Sequence, residues 1–108
     1  AESIKQKECT KILNSIKKDS YVMALDLRGK QFTSEEFSKK IEDVPVKGFS
    51  NITFIIGGTL GLTQDVLDAA NEFISISKMT FPHLLIRVFL LEQVFRAFKI
   101  SNNETYHW

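Results

Sequence analysis

The chain has 108 residues, 44% of them hydrophobic and 25% charged, which is the composition of one globular domain spanning residues 1–108. Its net charge of +1 gives no overall basic footprint for nucleic acid, so RNA binding would need a local patch. The single cysteine, Cys9, excludes an intrachain disulfide and a cysteine-based zinc site, and we expect it to be an inert surface or half-buried thiol. Arg87 and Glu92 interrupt the longest apolar stretch, and no signal segment opens the chain, so we expect a cytoplasmic protein with no membrane partner.

The chain opens with a predicted helix and a predicted strand. Residues 2–18 place a few isoleucines and leucines among lysines and glutamates, which is typical of an amphipathic helix with a solvated lysine face. Residues 21–27, YVMALDL, form an apolar run rich in strand-forming residues, and the following Arg-Gly-Lys at 28–30 predicts a turn.

A second helix is predicted from its capping residues. Thr33 and Glu36 have the spacing of a capping box, in which the two residues satisfy each other's backbone N–H groups. The helix is expected to end near Ile41, because Pro45 and Gly48 mark a loop.

A second strand at residues 51–56 is followed by a glycine-rich stretch at 57–61, and Thr63 is expected to cap a helix that ends near Glu72. The glycines allow the backbone to approach a ligand or to take positive φ. The spacing is neither that of a dinucleotide-binding loop nor that of a P-loop, so a plain tight turn stays open as the alternative.

The longest helix is predicted at residues 82–100, after a third strand at 73–77. Pro82 suits a first helical position, and Thr80 is expected to cap the exposed amides. Apolar residues occur on all sides of this helix, so it needs two covered faces. One face can meet the sheet, and the other predicts a homodimer.

Three repeats of strand, loop and helix predict an α/β fold with a mainly parallel sheet covered by helices. The carboxyl ends of parallel strands meet at one edge, so the loops after Leu27, Ile56 and Ser77 form the predicted ligand site. Three strands are few for a sheet, and further edge strands are expected from a segment that this chain lacks.

Few side chains suggest chemistry by their spacing. His83 and Arg87 lie four residues apart at the start of the long helix, where they either bind an anion or form a structural pair. Glu92 and Arg96 have the spacing of a helix-supporting ion pair. With His107 the only other histidine, no metal site and no hydrolytic triad are expected.

Four stretches together resemble one family: ALDLRGK with the following TSEEF, FIIGGTLGL, SISKMTFPHLLIRVFLLEQVFRAFKI and the terminal YH. The family is the SPOUT-class methyltransferases, which carry a trefoil knot and methylate N3 of a pseudouridine in 23S ribosomal RNA. The resemblance covers residues 4–107. It implies a knotted homodimer that binds S-adenosylmethionine in the knot and acts on ribosomal RNA or the ribosome, not on DNA.

The resemblance also implies roles for individual residues. The cofactor-binding positions are Leu25, Gly57, Ile76, Ser77, Lys78, Met79, Thr80 and Phe81. The implied transfer requires the imide to lose a proton, and our own candidate to take it is His107, with Tyr106 and water left open as alternative bases. Arg96 is our candidate to stabilise the developing negative charge.

The chain departs from the family at both ends. Members begin with a further strand–helix–strand segment, so this chain resembles the carboxyl two-thirds, truncated or incompletely described at its amino terminus. Thr105 and Trp108 replace a proline and a basic residue of the usual tail. One alternative function is a non-enzymatic dimerising remnant that keeps the cofactor loop. Another is an unrelated phosphate-binding or signalling domain, although Asp26 stands alone at its strand end without an acidic cluster.

Overall fold

The structure is a computed structural model that describes residues 2–57 and 62–103. In these residues helices and strands alternate along the chain: α1 (Glu2–Ser15), β1 (Ser20–Gln31), α2 (Ser34–Val46), β2 (Asn51–Ile56), α3 (Gln64–Ala69), β3 (Glu72–Ser75) and α4 (His83–Ser101). The strands pair in parallel in the order β2-β1-β3. The predicted α/β class with a parallel sheet is therefore confirmed.

The centre of the sheet is β1, which is buried on both faces. Successive side chains of a strand point to opposite faces, so Tyr21 and Met23 join the core shared with α2 and α4. Val22 and Ala24 join the core shared with α1 and α3. Burial on both faces explains why residues 21–25, the first part of this strand, form an uninterrupted apolar run and not an alternation of apolar and polar residues.

Cys9 lies in the second of these cores. The residue is 1% exposed, and its Sγ accepts a hydrogen bond from the backbone N–H of Thr63 at 3.3 Å. The expectation of a surface or half-buried thiol was wrong because α1 packs on the sheet through one apolar side, and Cys9 lies on that side with Ile12 and Leu13.

The turn predicted at residues 28–30 is an irregularity inside β1. The strand continues to Gln31, and both Leu25 and Lys30 pair with Ile74 of β3, so the intervening residues bulge out of the ladder. The turn prediction was wrong because Gly29 does not end the strand but lets the backbone of Ile74 pack closely against it. A Cβ on Gly29 would lie 2.6 Å from the carbonyl carbon of Ile74.

The capping box of the second helix is confirmed. Thr33 Oγ1 accepts from the Glu36 N–H at 3.1 Å, and the Thr33 N–H donates to Glu36 Oε1 at 2.8 Å. The helix runs past the predicted end to Val46 and contains Pro45 in its last turn. It continues because Val44, which is 1% exposed, fills the core beneath it.

Several other boundaries differ from the predicted ones. The first helix ends at Ser15, before residue 18, and β3 ends at Ser75, before residue 77. Thr63 precedes α3 as predicted, but its side chain makes no capping hydrogen bond. This helix ends at Ala69 because Glu72 already belongs to β3.

The long helix begins one residue later than predicted and ends one residue later. Pro82, with ψ of 149°, is the residue before the first helical turn, and its carbonyl accepts from the N–H groups of Leu85 and Ile86 at 3.0 and 3.1 Å. Thr80 is therefore too far from the helix to cap it, and that prediction was wrong. Among the described residues, no helix is both long and apolar enough to cross a membrane.

A polar network fixes β3 to α2 and β1. The hydroxyl of Tyr21 donates to Glu72 Oε1 at 2.6 Å, and Lys40 Nζ lies 2.7 Å from Glu72 Oε2. Burial, and then the neighbouring carboxylate of Glu72, raise the pKa of Tyr21 to about 12 from the ordinary value of 10.0.

This raised pKa predicts a loss of stability at high pH. The folded state holds the Tyr21 proton more tightly than the unfolded state, so its stabilising effect is complete below pH 10 and is lost as the pH rises towards 12. Urea midpoints measured from pH 8 to pH 11 should fall more steeply for the wild type than for Tyr21→Phe, which lacks the titrating hydroxyl. Equal slopes in this range would contradict the prediction.

Candidate functional site

A cavity of about 450 Å³ opens at the carboxyl ends of all three strands. Its floor includes Leu25 of β1, Ile56 of β2 and Ile74 of β3. The position is the one expected of ligand sites in parallel sheets, and the volume lies within the roughly 300–1,000 Å³ that is typical of small-molecule pockets.

The loop between β3 and α4 forms one wall of this cavity and is held by its own hydrogen bonds. Ser75 Oγ donates to the carbonyl of Ser77 at 2.8 Å, and Ser77 Oγ accepts from the backbone N–H of Met79 at 3.0 Å. At the end of the loop, the ring of Phe81 meets Phe89 of α4 edge to face, with 5.3 Å between centroids. The loop therefore has a defined shape although it contains no regular secondary structure.

The structure brings almost all of the predicted cofactor positions together. All but Lys78 line the cavity, namely Leu25, Gly57, Ile76, Ser77, Met79, Thr80 and Phe81. Lys78 lies in the same loop but is exposed to solvent. Of the glycine-rich stretch, Gly57 is in the cavity wall, and residues 58–61 lie outside the described residues.

Asp26 is a cavity residue to which sequence reasoning assigned no role there. Its carboxylate accepts three hydrogen bonds from Arg28: the backbone N–H and Nε donate to Oδ1 at 2.8 and 2.9 Å, and Nη2 donates to Oδ2 at 2.9 Å. These bonds hold the pKa of Asp26 below its ordinary value, so the carboxylate is ionised at neutral pH. The sequence feature that could have indicated this position is that Asp26 follows Leu25 near the end of the predicted strand.

His83 and Arg87 are separated by the edge of the cavity. His83 lines the cavity, whereas Arg87 is exposed on the outside of α4 and is not part of the wall. Within residues 2–57 and 62–103, no hydrogen bond joins the two side chains, so the structural pair is not formed. His83 thus adds a polar ring to a mostly apolar wall.

Arg96 lies in a separate network between α2 and α4. Its Nη2 is 2.9 Å from Glu92 Oε2, as the spacing predicted. Gln93 Nε2 donates to Glu92 Oε1 at 3.0 Å, and Ser34 Oγ donates to Gln93 Oε1 at 2.7 Å. Glu92 and Gln93, which accept these hydrogen bonds, border a second cavity of about 550 Å³. This cavity lies on the other side of the loop between β3 and α4.

The two catalytic candidates are therefore placed differently. Arg96 lines neither cavity, so within one subunit the structure does not bring it to the predicted cofactor positions. His107 lies outside the described residues, as do Thr105 and Trp108. Among its described residues, the first cavity offers apolar side chains, backbone groups, hydroxyl groups, the imidazole of His83 and one carboxylate, which suits a small molecule with a flat apolar part and polar or cationic groups.

Comparison with known proteins gives consistent matches. A protein-family model described as "Predicted SPOUT methyltransferase" matches residues 1–107. The Ribosomal RNA large subunit methyltransferase H of Clostridium acetobutylicum is 61% identical over 104 residues, which are 96% of this chain and 65% of that protein. A protein of the same name from Clostridium botulinum is 59% identical over equal shares, and one from Halothermothrix orenii is 52% identical over 98% of this chain and 67% of that protein. The chain spans about 65% of the length of the first of these curated relatives.

Proposed function

We propose, from the premise that this chain belongs to the SPOUT methyltransferase family, that it transfers a methyl group from S-adenosylmethionine to N3 of a pseudouridine in 23S ribosomal RNA. The names of the relatives, which specify RNA of the large ribosomal subunit, support this class of substrate. The observation that carries the proposal is one cavity at the strand ends, lined by the residues that the resemblance assigns to the cofactor. The proposed ribosomal substrate supports a cytoplasmic location.

The groups that line the first cavity suit the parts of S-adenosylmethionine. Leu25, Ile56 and Phe81 offer apolar surface for a flat adenine ring, and the loop at residues 76–81 offers backbone groups for its polar edge. When bound, the cofactor supplies a methyl group on a positively charged sulfur. Among its described members the wall contains the ionised carboxylate of Asp26, the imidazole of His83 and no lysine or arginine, so its one permanent charge is opposite to that of the sulfur.

The protein's own contribution is mainly orientation, because methyl transfer is an in-line displacement in which correct placement of the two reactants lowers the barrier. The cavity wall holds the donor in position. We propose that His107 is the base that removes the proton of the imide, since histidine is the side chain that ordinarily titrates closest to neutral pH. Arg96 would stabilise the negative charge that develops on the base.

We propose that the active form is a homodimer joined through the outer face of α4. Five apolar residues on this face repeat at alternating intervals of four and three, which is the spacing of a helix–helix seam. They are Leu84, Val88, Leu91, Phe95 and Phe98, with exposed fractions of 73, 58, 69, 52 and 55%. The opposite face carries Leu90 and Ala97, which are buried against the chain's own core. Arg96 is not in the cavity wall of its own subunit. In the proposed homodimer, Arg96 of one subunit would act at the cofactor site of the other.

Two measurements test the proposed activity in sequence. Calorimetric titration of the protein with S-adenosylmethionine should show binding, and a transfer assay on ribosomes that lack this methyl group should then label 23S ribosomal RNA at a pseudouridine. Binding without transfer to any ribosomal RNA would support the dimerising remnant and contradict the enzymatic proposal. The absence of binding would contradict both.

Gly57→Val tests the position of the cofactor site. Gly57 lines the cavity, so the added side chain takes up space at its wall, and we expect the dissociation constant for S-adenosylmethionine to rise about tenfold or more. Gly48→Val is the control for a side chain added outside the wall, since a Cβ there meets nothing within 4 Å. Because the φ of 96° at Gly48 strains valine, circular dichroism must first show that this variant is folded. Unchanged affinity in a folded Gly57→Val protein would place the cofactor elsewhere.

A further inference from the structure

The first cavity has one acidic side chain among its described lining residues, and its placement is specific. Asp26 follows Leu25 at the carboxyl end of the central strand, in a wall that is otherwise formed mostly by apolar residues. Its side chain is 19% exposed. A carboxylate in such surroundings interacts with a nearby charge more strongly than a carboxylate in open water does.

Arg28 fixes this carboxylate in place without using all of its acceptor capacity. Three hydrogen bonds from one residue hold both oxygens, and a carboxylate has about four acceptor positions. The Arg28 side chain is 78% exposed, so water screens its positive charge. The negative charge of Asp26 is therefore only partly compensated on the side that faces the cavity.

We propose that Asp26 recognises the positive charge of the methyl donor, so that the cavity binds S-adenosylmethionine more tightly than the neutral thioether left after transfer. In the proposed transfer step, the deprotonated N3 of the pseudouridine forms a bond to the methyl carbon while the bond between that carbon and sulfur breaks. The electron pair of the broken bond stays on sulfur, so the sulfonium charge disappears. The attraction to Asp26 is lost in the same step, which favours release of the product. This inference rests on the proposed cofactor site.

A purely structural role is the competing explanation, since the Asp26–Arg28 contact also fastens the irregular segment of β1. The two roles differ in what they predict for ligands. A structural role makes the affinities for donor and product fall together, because the cavity as a whole is disturbed. Charge recognition makes them fall unequally.

The test compares Asp26→Asn with the wild type by calorimetric titration with S-adenosylmethionine and, separately, with S-adenosylhomocysteine. Asparagine keeps the shape and can still accept from the Arg28 backbone N–H. We expect the dissociation constant for S-adenosylmethionine to rise about tenfold or more, which is the typical effect of losing an interaction with a charged group. The dissociation constant for S-adenosylhomocysteine should rise less. The dissociation constant for S-adenosylhomocysteine divided by that for S-adenosylmethionine should therefore be smaller in Asp26→Asn than in the wild type.

Glu42→Gln is the matched control, because it removes the same charge from an exposed position on α2 outside both cavities. This variant should leave both dissociation constants unchanged. An unchanged ratio in Asp26→Asn, with or without an equal loss of both affinities, would overturn the inference while leaving the proposed cofactor site intact. A wild-type protein that binds neither molecule would instead reject the proposed function itself.

Discussion

Gly29→Ala is expected to destabilise the protein by about 3 kcal/mol and to weaken binding of S-adenosylmethionine at the same time. The added Cβ would lie within 2.6 to 2.8 Å of three backbone atoms of Ile74, and backbone atoms cannot rotate away as the end of a side chain can. Ile74 is also in the walls of both cavities and lies in β3, one residue before the strand ends and the shared loop begins. Displacement of Ile74 therefore reaches the site.

Gly48→Ala separates this effect from the general cost of replacing a glycine. Gly48 has a φ of 96°, which costs alanine about 1 kcal/mol or somewhat more, but nothing lies within 4 Å of the added Cβ. Urea unfolding should show a smaller loss than in Gly29→Ala, and titration should show unchanged affinity for the cofactor. Equal stability losses in the two variants would mean that β1 and β3 separate easily at this point.

Gly29 also shows where prediction from sequence fails. An Arg-Gly-Lys after an apolar run has the composition of a turn, and the same residues suit a bulge. What distinguishes the two is a tertiary contact, the approach of Ile74 from a strand that begins more than forty residues later. Cys9 was misplaced for a similar reason, since only packing against the sheet decides which side of α1 is covered.

Features with local causes were predicted well. The capping box depends on two residues three apart, and β2 is a short apolar run whose bounds, Asn51–Ile56, coincide with the predicted ones. The position of the first cavity was also predictable from the parallel sheet, since the loops after three parallel strands meet at one edge. The role proposed for Asp26 was not predictable in this way, because a lone acidic residue has no spacing pattern to indicate it.

The exposed face of α4 leads to the other large effect. We expect Leu91→Glu to convert the proposed homodimer into a monomer. Leu91 is 69% exposed in one subunit and lies in the middle of the apolar seam. In a two-fold symmetric dimer each copy would lose the burial of this side chain, at roughly 1.5–3 kcal/mol per leucine, and would place an unpaired carboxylate in the interface. A combined loss of about 3 kcal/mol or more raises the dissociation constant of the dimer by at least about a hundredfold.

Val46→Glu is the matched control for this change, because Val46 is an apolar residue that is 84% exposed at the end of α2, away from the seam. Light scattering at micromolar concentration should give a dimer mass for the wild type and for Val46→Glu, and a monomer mass for Leu91→Glu. The folded state of each variant can be checked by circular dichroism, since Leu91 contributes little to the core of its own subunit. A wild-type protein that is monomeric at this concentration would refute the homodimer. A Leu91→Glu protein that stays dimeric would place the interface on another face of the molecule.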